Sequence, residues 1–239
     1  MLSKRLFDIA FALVALTALL PVLALLALAV WCHDGRSPFY LSPRVGRGNR
    51  DFAMIKLRTM VVGADRLGAS SAAKSDQRIT PFGRFLRRWK LDELPQFLNV
   101  LAGDMSVVGP RPNVREGGVD GYTPEEMGLL KVRPGLTDLA SIVFADEAEI
   151  LDGAHDVQAT YNRLIRPWKC RLGLLYIARR TLPADLALAG LTVVAIAARP
   201  LALSLLDDLL ERWGADTPTR ELCLRREPLR SFAIEPEPS

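Results

Sequence analysis

From Ile9 to Cys32 the chain reads IAFALVALTALLPVLALLALAVWC, without one charged side chain. At about 1.5 Å of rise per residue, such a helix is long enough to cross a bilayer core of roughly 30 Å. A helix apolar on every side needs a very large core to hide in, so a membrane suits it better than a soluble interior. The run also exceeds the apolar core of a secretory signal, and no small-x-small cleavage site precedes the charges that follow. Pro21 lies in its middle, where it removes a backbone hydrogen bond and bends a helix. Both flanks are basic: Lys4 and Arg5 come before, and Arg36, Arg44, Arg47 and Arg50 after. A spanning helix would place one cluster on the outer face, against the positive-inside tendency. A helix broken at Pro21 dips in and returns with both clusters on the cytoplasmic side. The expectation is a re-entrant membrane helix over residues 1–33.

Beyond this element the chain is only mildly charged, with 31 basic and 27 acidic residues for a net +4. The basic residues concentrate between Arg36 and Arg115, which points to an anionic ligand or a membrane surface rather than to nucleic acid. Cys32, Cys170 and Cys223 are far apart, and His33 and His155 are the only histidines. A zinc site or a disulfide framework is therefore not expected, the thiols are reduced, and histidine is a poor choice of acid or base.

The middle of the chain has the pattern of a small α/β domain, mostly α. Ser37 to Leu41 and Phe52 to Leu57 resemble short strands, separated by the turn-rich Arg47-Gly48-Asn49-Arg50. Thr80 followed by Pro81 predicts a helix start, with the helix running to about Lys90. A second helix is expected to begin at Asp92 as its cap, since Pro95 is tolerable only in a first turn, and to end at Gly103.

That second helix opens the stretch KLDELPQFLNVLAGDMSVVGPRP, Lys90 to Pro112. A helix amino terminus attracts anions, and Arg87, Arg88 and Arg111 around it would suit phosphate. Two adjacent carboxylates, Asp92 and Glu93, repel each other unless cations hold both ionised. Mg2+ binds through one or two carboxylates together with substrate phosphates, which would leave the aspartate free to attack phosphorus. An Asp-Glu pair alone is usually a structural feature, and only its setting raises the chemical reading.

Four blocks, in order, resemble the bacterial sugar transferases, the monotopic polyprenyl-phosphate phosphoglycosyl transferases. They are KRLFD (Lys4 to Asp8), SPRVGRGNRDFAMIKLRTM (Ser42 to Met60), RITPFGRFLRRWKLDELPQFLNVLAGDMSVVGPRP (Arg78 to Pro112) and VRPGLTDLAS (Val132 to Ser141). The resemblance implies that Asp92 attacks the β-phosphate of a UDP-sugar, releases UMP, and passes the sugar phosphate to undecaprenyl phosphate. It makes Glu93 the second acid, associated with Mg2+, and places Lys56, Arg58, Arg87, Arg111, Arg44 and Arg133 at basic positions suited to phosphates. It further implies membrane lipids as partners, the cytoplasmic face of the bacterial inner membrane as location, and exopolysaccharide, capsule or O-antigen-type synthesis as use; it also allows a homodimer. Each basic residue has a plainer reading: Lys56 as an exposed strand residue, Arg133-Pro134-Gly135 as a type II turn. The chain departs from many members at Asp138-Leu139, where a Gly-Trp pair is common, and at Leu20-Pro21, where a Ser-Pro pair is common.

The remaining chain divides less clearly. A catalytic domain over 34–182 is expected, then a membrane-associated helix over 183–206, and a polar, disordered tail over 207–239. Asp146 to Asp156 is read as a solvated helix and loop, and Tyr161 to Arg180 as an amphipathic interfacial helix or one packed on the domain. Leu186 to Ala198 is too short to span comfortably. Two other functions compete with transfer: a membrane-anchored lipid-binding scaffold, for which Asp92 would be dispensable, and a metal-dependent phosphohydrolase, which would release phosphate without a lipid acceptor.

Overall fold

The computed structural model describes residues 2–64, 73–226 and 229. The apolar run forms α1 (Leu2–Asp34), and the helix continues through Pro21 rather than dividing there. This corrects the expected break, since one missing N–H removes one hydrogen bond and the turns on either side hold the rest. Only Asp8, Ala12, Leu23 and Val30 of this helix are buried, along one stripe, while Leu6, Val14, Leu20, Leu25 and Leu28 are exposed. An apolar helix with its outer side chains bare is a candidate membrane element.

Contacts at the two ends of α1 bear on its sidedness. At the start, Arg5 donates to Val100 O and Leu101 O at 2.6 and 2.8 Å, and Asp8 accepts from Val107 N and Ser106 Oγ at 3.0 and 2.9 Å. At the other end, Leu23 and Val30 pack with Leu57 and Leu86, and Arg58 grips Asp34. Both ends of α1 therefore rest on the same domain.

The domain's strands are few. β1 (Phe39–Val45) and β2 (Asp51–Leu57) form an antiparallel hairpin in which Tyr40 faces Lys56. Its turn bends through Gly48 and Asn49, both at positive φ, as the turn-rich sequence there predicts. β3 (Ser106–Val108) and β4 (Gly135–Thr137) form a parallel pair. A Cβ on Gly135 would stand 2.1 Å from Gly109 N, so glycine is required there by close approach and not by the positive φ of a type II turn.

Helices make up the rest. α2 (Pro81–Arg88) starts as expected, with Thr80 Oγ1 accepting from Gly83 N at 2.9 Å. The next helix does not start at Asp92. Leu91–Glu93 forms a single 3-10 turn after Lys90, which is at φ 56, and α3 (Gln96–Ala102) follows Pro95 and ends at Gly103, φ 94. The physical reason is Pro95: lacking an N–H, it begins the α-helix and leaves the residues before it in a tighter turn.

α4 (Leu139–Val143) is capped by Asp138, and α5 (Glu147–Ile150) and α6 (Val157–Thr160) are each one turn. Leu151, inside the segment expected to be solvated, is fully buried. A π-helical turn, Tyr161–Ile165, leads into α7 (Arg166–Arg179), whose Leu172 and Tyr176 lie in the core, so this segment packs on the domain. α8 (Leu182–Ala197) and α9 (Arg199–Arg212) form a helical elbow, and α10 (Thr217–Leu224) packs on α9 with Thr219 and Cys223 buried. The chain is thus ordered well past residue 207, against the expected disordered tail, because Leu206, Leu210 and Cys223 supply apolar anchors. Of the expected tail, residues 227, 228 and 230–239 lie outside the described residues.

Candidate active site

Asp92 and Glu93 sit on the 3-10 turn between α2 and α3, and the two side chains have different partners. Asp92 is buried, 6% exposed, and no described residue donates a hydrogen bond to it. Glu93 is paired with Arg111 Nη2. Arg111 is itself fixed: its Nη1 donates to Leu136 O at 2.8 Å and its backbone N–H to Asp138 Oδ2 at 3.2 Å. Prolines on both sides of Arg111 stiffen the loop that carries it.

Two further cations approach from other elements. Lys56 projects from β2 and is enclosed, and burial pushes its ammonium down to about 8, against the pull of Glu93 and Asp92. Arg87, on the last turn of α2, donates Nε to Thr59 Oγ1 at 2.9 Å and feels the charge of Asp92. Its reach depends on Gly83: a Cβ there would lie 2.0 Å from Thr59 O, so only glycine lets α2 settle against that strand end. Arg44 of β1 donates Nε to Ser42 Oγ at 3.2 Å, and its charge acts on Arg111.

The electrostatics separate the carboxylates. Burial raises the Asp92 pKa and the neighbouring Glu93 charge raises it further, while Lys56, Arg87 and Lys90 oppose. Burial also raises Glu93, but Arg111, Lys56 and Lys90 outweigh it and hold the carboxyl down to about 2. One acid is thus locked ionised in an ion pair, and the other is left with a weakly stabilised charge that an arriving cation or phosphate environment can tune.

Of the basic positions expected to hold phosphate, Lys56, Arg87 and Arg111 act on the two acids, and Arg44 lies close enough to Arg111 and Lys56 for its charge to act on them. Arg58 and Arg133 go elsewhere. Arg58 Nη2 donates to Asp34 Oδ1 at 2.6 Å and its Nε to Ser37 O at 2.9 Å, clamping the end of α1. Arg133 Nε donates to Gly103 O at 2.7 Å, tying β4 to the end of α3. Sequence reasoning missed the supporting group: Thr59 beneath Arg87, Asp138 and Leu136 O beneath Arg111, and Lys90, whose charge acts on both acids. For Lys90 a signal existed, since it stands between two helices where the chain must reverse, and the left-handed residue falls there.

Among the described residues no three His, Cys, Asp or Glu side chains gather as a metal cage. The oxygens left over, those of Asp92 and the second oxygen of Glu93, are hard donors that fit Mg2+ only where a substrate's phosphates complete its shell.

Against this geometry the comparisons are specific. A family model described as bacterial sugar transferase matches residues 1–199. The chain belongs to the bacterial sugar transferase family. It is 36% identical over 203 residues to the exopolysaccharide production protein ExoY of Sinorhizobium fredii, covering 77% of this chain and 85% of that one. It is 38% identical over 151 residues to the UDP-N-acetylgalactosamine-undecaprenyl-phosphate N-acetylgalactosaminephosphotransferase of Aeromonas hydrophila, covering 62% of this chain and 36% of that protein. With the UDP-glucose:undecaprenyl-phosphate glucose-1-phosphate transferase of Caulobacter vibrioides it shares 39% identity over 143 residues, 59% of this chain and 54% of the relative. The match to the Aeromonas and Caulobacter proteins thus takes in little more than a third and a half of their lengths. Asp138 also acquires a role: it caps α4 through Ser141 N at 2.7 Å and holds the Arg111 backbone.

Proposed function

We propose that this sugar transferase moves a sugar 1-phosphate from a UDP-sugar to undecaprenyl phosphate, through a covalent intermediate on Asp92, with release of UMP. In the first half, an Asp92 oxygen bonds to the β-phosphorus while the bond to the bridging oxygen breaks, and UMP departs with that electron pair. In the second, an oxygen of undecaprenyl phosphate bonds to the same phosphorus and the Asp92 carboxylate leaves, restoring the enzyme. The observation that carries the reading is the asymmetry of the acids: Asp92 is buried and accepts no hydrogen bond from a described residue, and Glu93 is locked to Arg111.

Each neighbouring residue then has a part. Arg44, with its planar fork, and Arg111, through N–H groups other than those given to Leu136 O and Glu93, would hold the diphosphate. Arg87 and Lys56 flank Asp92 and would screen the approach of an anionic substrate to an anionic nucleophile. Asp92 and Glu93 would hold Mg2+ together with the diphosphate, and the ion would supply neutralisation of charge on the phosphates and the departing UMP. All of these residues come from one chain, so a homodimer would carry two complete sites.

The placing of both ends of α1 on the domain, with basic clusters at both, supports a location on the cytoplasmic face of the bacterial inner membrane. There a soluble sugar nucleotide and a lipid phosphate can meet. The names of the relatives support undecaprenyl phosphate as acceptor and exopolysaccharide assembly as the use. The test is incubation with radiolabelled UDP-sugars in the absence of acceptor lipid. Sugar phosphate should appear on the protein at Asp92 and be chased onto undecaprenyl phosphate. Product formed without any protein-bound label would refute the covalent step, and inorganic phosphate released without acceptor would favour the hydrolase.

A further inference from the structure

Far along the chain from Asp92, a second basic cluster surrounds one carboxylate. Asp146 follows α4 by a short turn and faces two arginines. Arg199, at the start of α9, has Nη2 at 2.7 Å from Asp146 Oδ1 and donates to Val143 O at 2.9 Å. Arg225, just past α10, donates Nη2 to Asp146 Oδ2 at 3.1 Å, and its guanidinium carbon lies 5.8 Å from the centre of the Phe144 ring. Two positive charges thus meet one negative charge.

The hydrogen bonds do not close either. Arg199 Nε, Arg225 Nε and Arg225 Nη1 are buried without an acceptor among the described residues. Asp146 Oδ1 has no aligned donor despite its short distance to Arg199, so that contact is an ion pair and not a hydrogen bond. Buried guanidinium donors without acceptors are rare, because the protein loses their hydration and gains nothing in return. Arg225 is moreover held at φ 52, a conformation a bulky side chain adopts only when its surroundings impose it. Three unanswered donors and one surplus positive charge call for an oxyanion.

The surroundings indicate where that oxyanion comes from. Arg199 sits at the elbow between α8 and α9, flanked by Val193 and Ile196 before it and Leu201 and Leu205 after it, all exposed. Water gives such an apolar rim nothing, whereas acyl chains cover it. We propose that Arg199 and Arg225 form a binding site for the phosphate of an anionic membrane lipid, seated at the α8–α9 elbow and separate from the Asp92 site. Arg225 lies beyond residues 1–199, the part matched by the family model, whereas Arg199 and Asp146 lie within it. α4 stands between the two sites: Asp138 caps its start and touches Arg111, and Val143 at its end receives Arg199. The inference does not rest on the transfer reaction.

The experiment is thermal unfolding of the full chain in phosphatidylcholine nanodiscs, with and without phosphatidylglycerol, and separately with inorganic phosphate. At roughly ten times its dissociation constant the anionic lipid should raise Tm by about 3–6 °C in a chain of this length. Arg225→Gln and Arg199→Lys should lose most of that shift, because each removes a guanidinium fork. Asp146→Asn should enlarge it by removing the competing carboxylate, and this variant reads the site even if an arginine variant fails to fold. Equal lipid shifts in wild type and Arg199→Lys would overturn the proposal, as would an unchanged or smaller shift in Asp146→Asn. A shift from inorganic phosphate as large as that from phosphatidylglycerol would overturn the lipid as its source.

Discussion

Two buried aspartates, Asp8 and Asp92, stand in opposite circumstances. Asp8 is 1% exposed and accepts hydrogen bonds from Ser106 Oγ and Val107 N, with Lys4 at 4.0 Å. Lys4 in turn donates to Asp185 at 2.7 Å, and Tyr176 Oη donates to the other Asp185 oxygen at 2.6 Å. That network pins α1 to β3 and α8, and every acid in it has a donor. Asp92 is buried almost as deeply, feels the charge of Lys56, Arg87 and Lys90, and accepts no hydrogen bond from a described residue. The difference teaches how a fold separates architecture from chemistry: a buried carboxylate with its hydrogen bonds complete is a rivet, and one surrounded by charge but left unbonded is reactive.

The contrast can be broken most sharply by substituting both residues. Asp92→Asn should lower transfer by on the order of 10⁴-fold or more, as loss of a nucleophile does, with Tm unchanged or higher. The sign follows from the raised pKa of Asp92: its charge is less favourable folded than unfolded, so removing it relieves the native state above the ordinary carboxylate range. Asp8→Ala should do the reverse, costing about 2–4 kcal/mol of stability through orphaned Ser106, Val107 and Lys4 donors, while folded molecules still acquire label at Asp92. Thermal unfolding together with labelling per folded molecule separates the two. If Asp8→Ala abolished labelling without loss of Tm, the architectural reading would fail.

A smaller effect concerns Glu93, held down to about 2. A lowered folded-state pKa adds stability that is present above the ordinary value of about 4.3 and is lost as pH falls toward 2. Glu93→Gln should flatten acid unfolding in that window, by a few kcal/mol at most, as followed by denaturant titration at pH 2 to 5. Lys56 gives the alkaline counterpart. Held at about 8 in the free protein, it loses its charge as pH rises through that value, so kcat/KM should fall above pH 8. Lys56→Arg should move the decline to higher pH, and an unshifted profile would remove Lys56 from the site.

Smallest is the effect at Arg58. Its pair with Asp34 is partly exposed, so a double-mutant cycle should give coupling of roughly 1 kcal/mol or less in stability. Arg58→Ala should leave the rate per folded molecule within about an order of magnitude of wild type. A collapse of turnover at unchanged Tm would return Arg58 to the phosphate-binding set.

How much of this was legible beforehand varied with the range of the interaction. The Thr80 cap, the Gly103 terminus and the hairpin turn were readable because each is decided within a few residues. The acids and the cations Lys56, Arg87 and Arg111 that act on them are readable from the spacing of charged residues and the resemblance it carries. The start of α3 is not legible, because a proline is compatible both with the first turn of a helix begun at Asp92 and with the cap of one begun at Gln96, which is where α3 starts. A helix is expected over 183–206, but the end of α9 and the whole of α10 are not legible for another reason: Leu210 and Cys223 are buried in the core, and local polarity gives no sign of that.

The sequence by itself determined that a charge-free apolar helix adjoins a basic α/β domain, and which residue types meet phosphate. Those are matters of composition and local spacing, set by the chemistry of each side chain. Only the tertiary structure decided that both ends of the apolar helix rest on one domain, that Arg58 and Arg133 brace the scaffold while Lys56, Arg87 and Arg111 act on the acids, and that Glu93 rather than Asp92 is neutralised. These depend on which cation arrives within bonding distance of which carboxylate, and residues as far apart as Glu93 and Arg111 are brought together only by the packing of α2, α3 and the parallel pair β3 and β4.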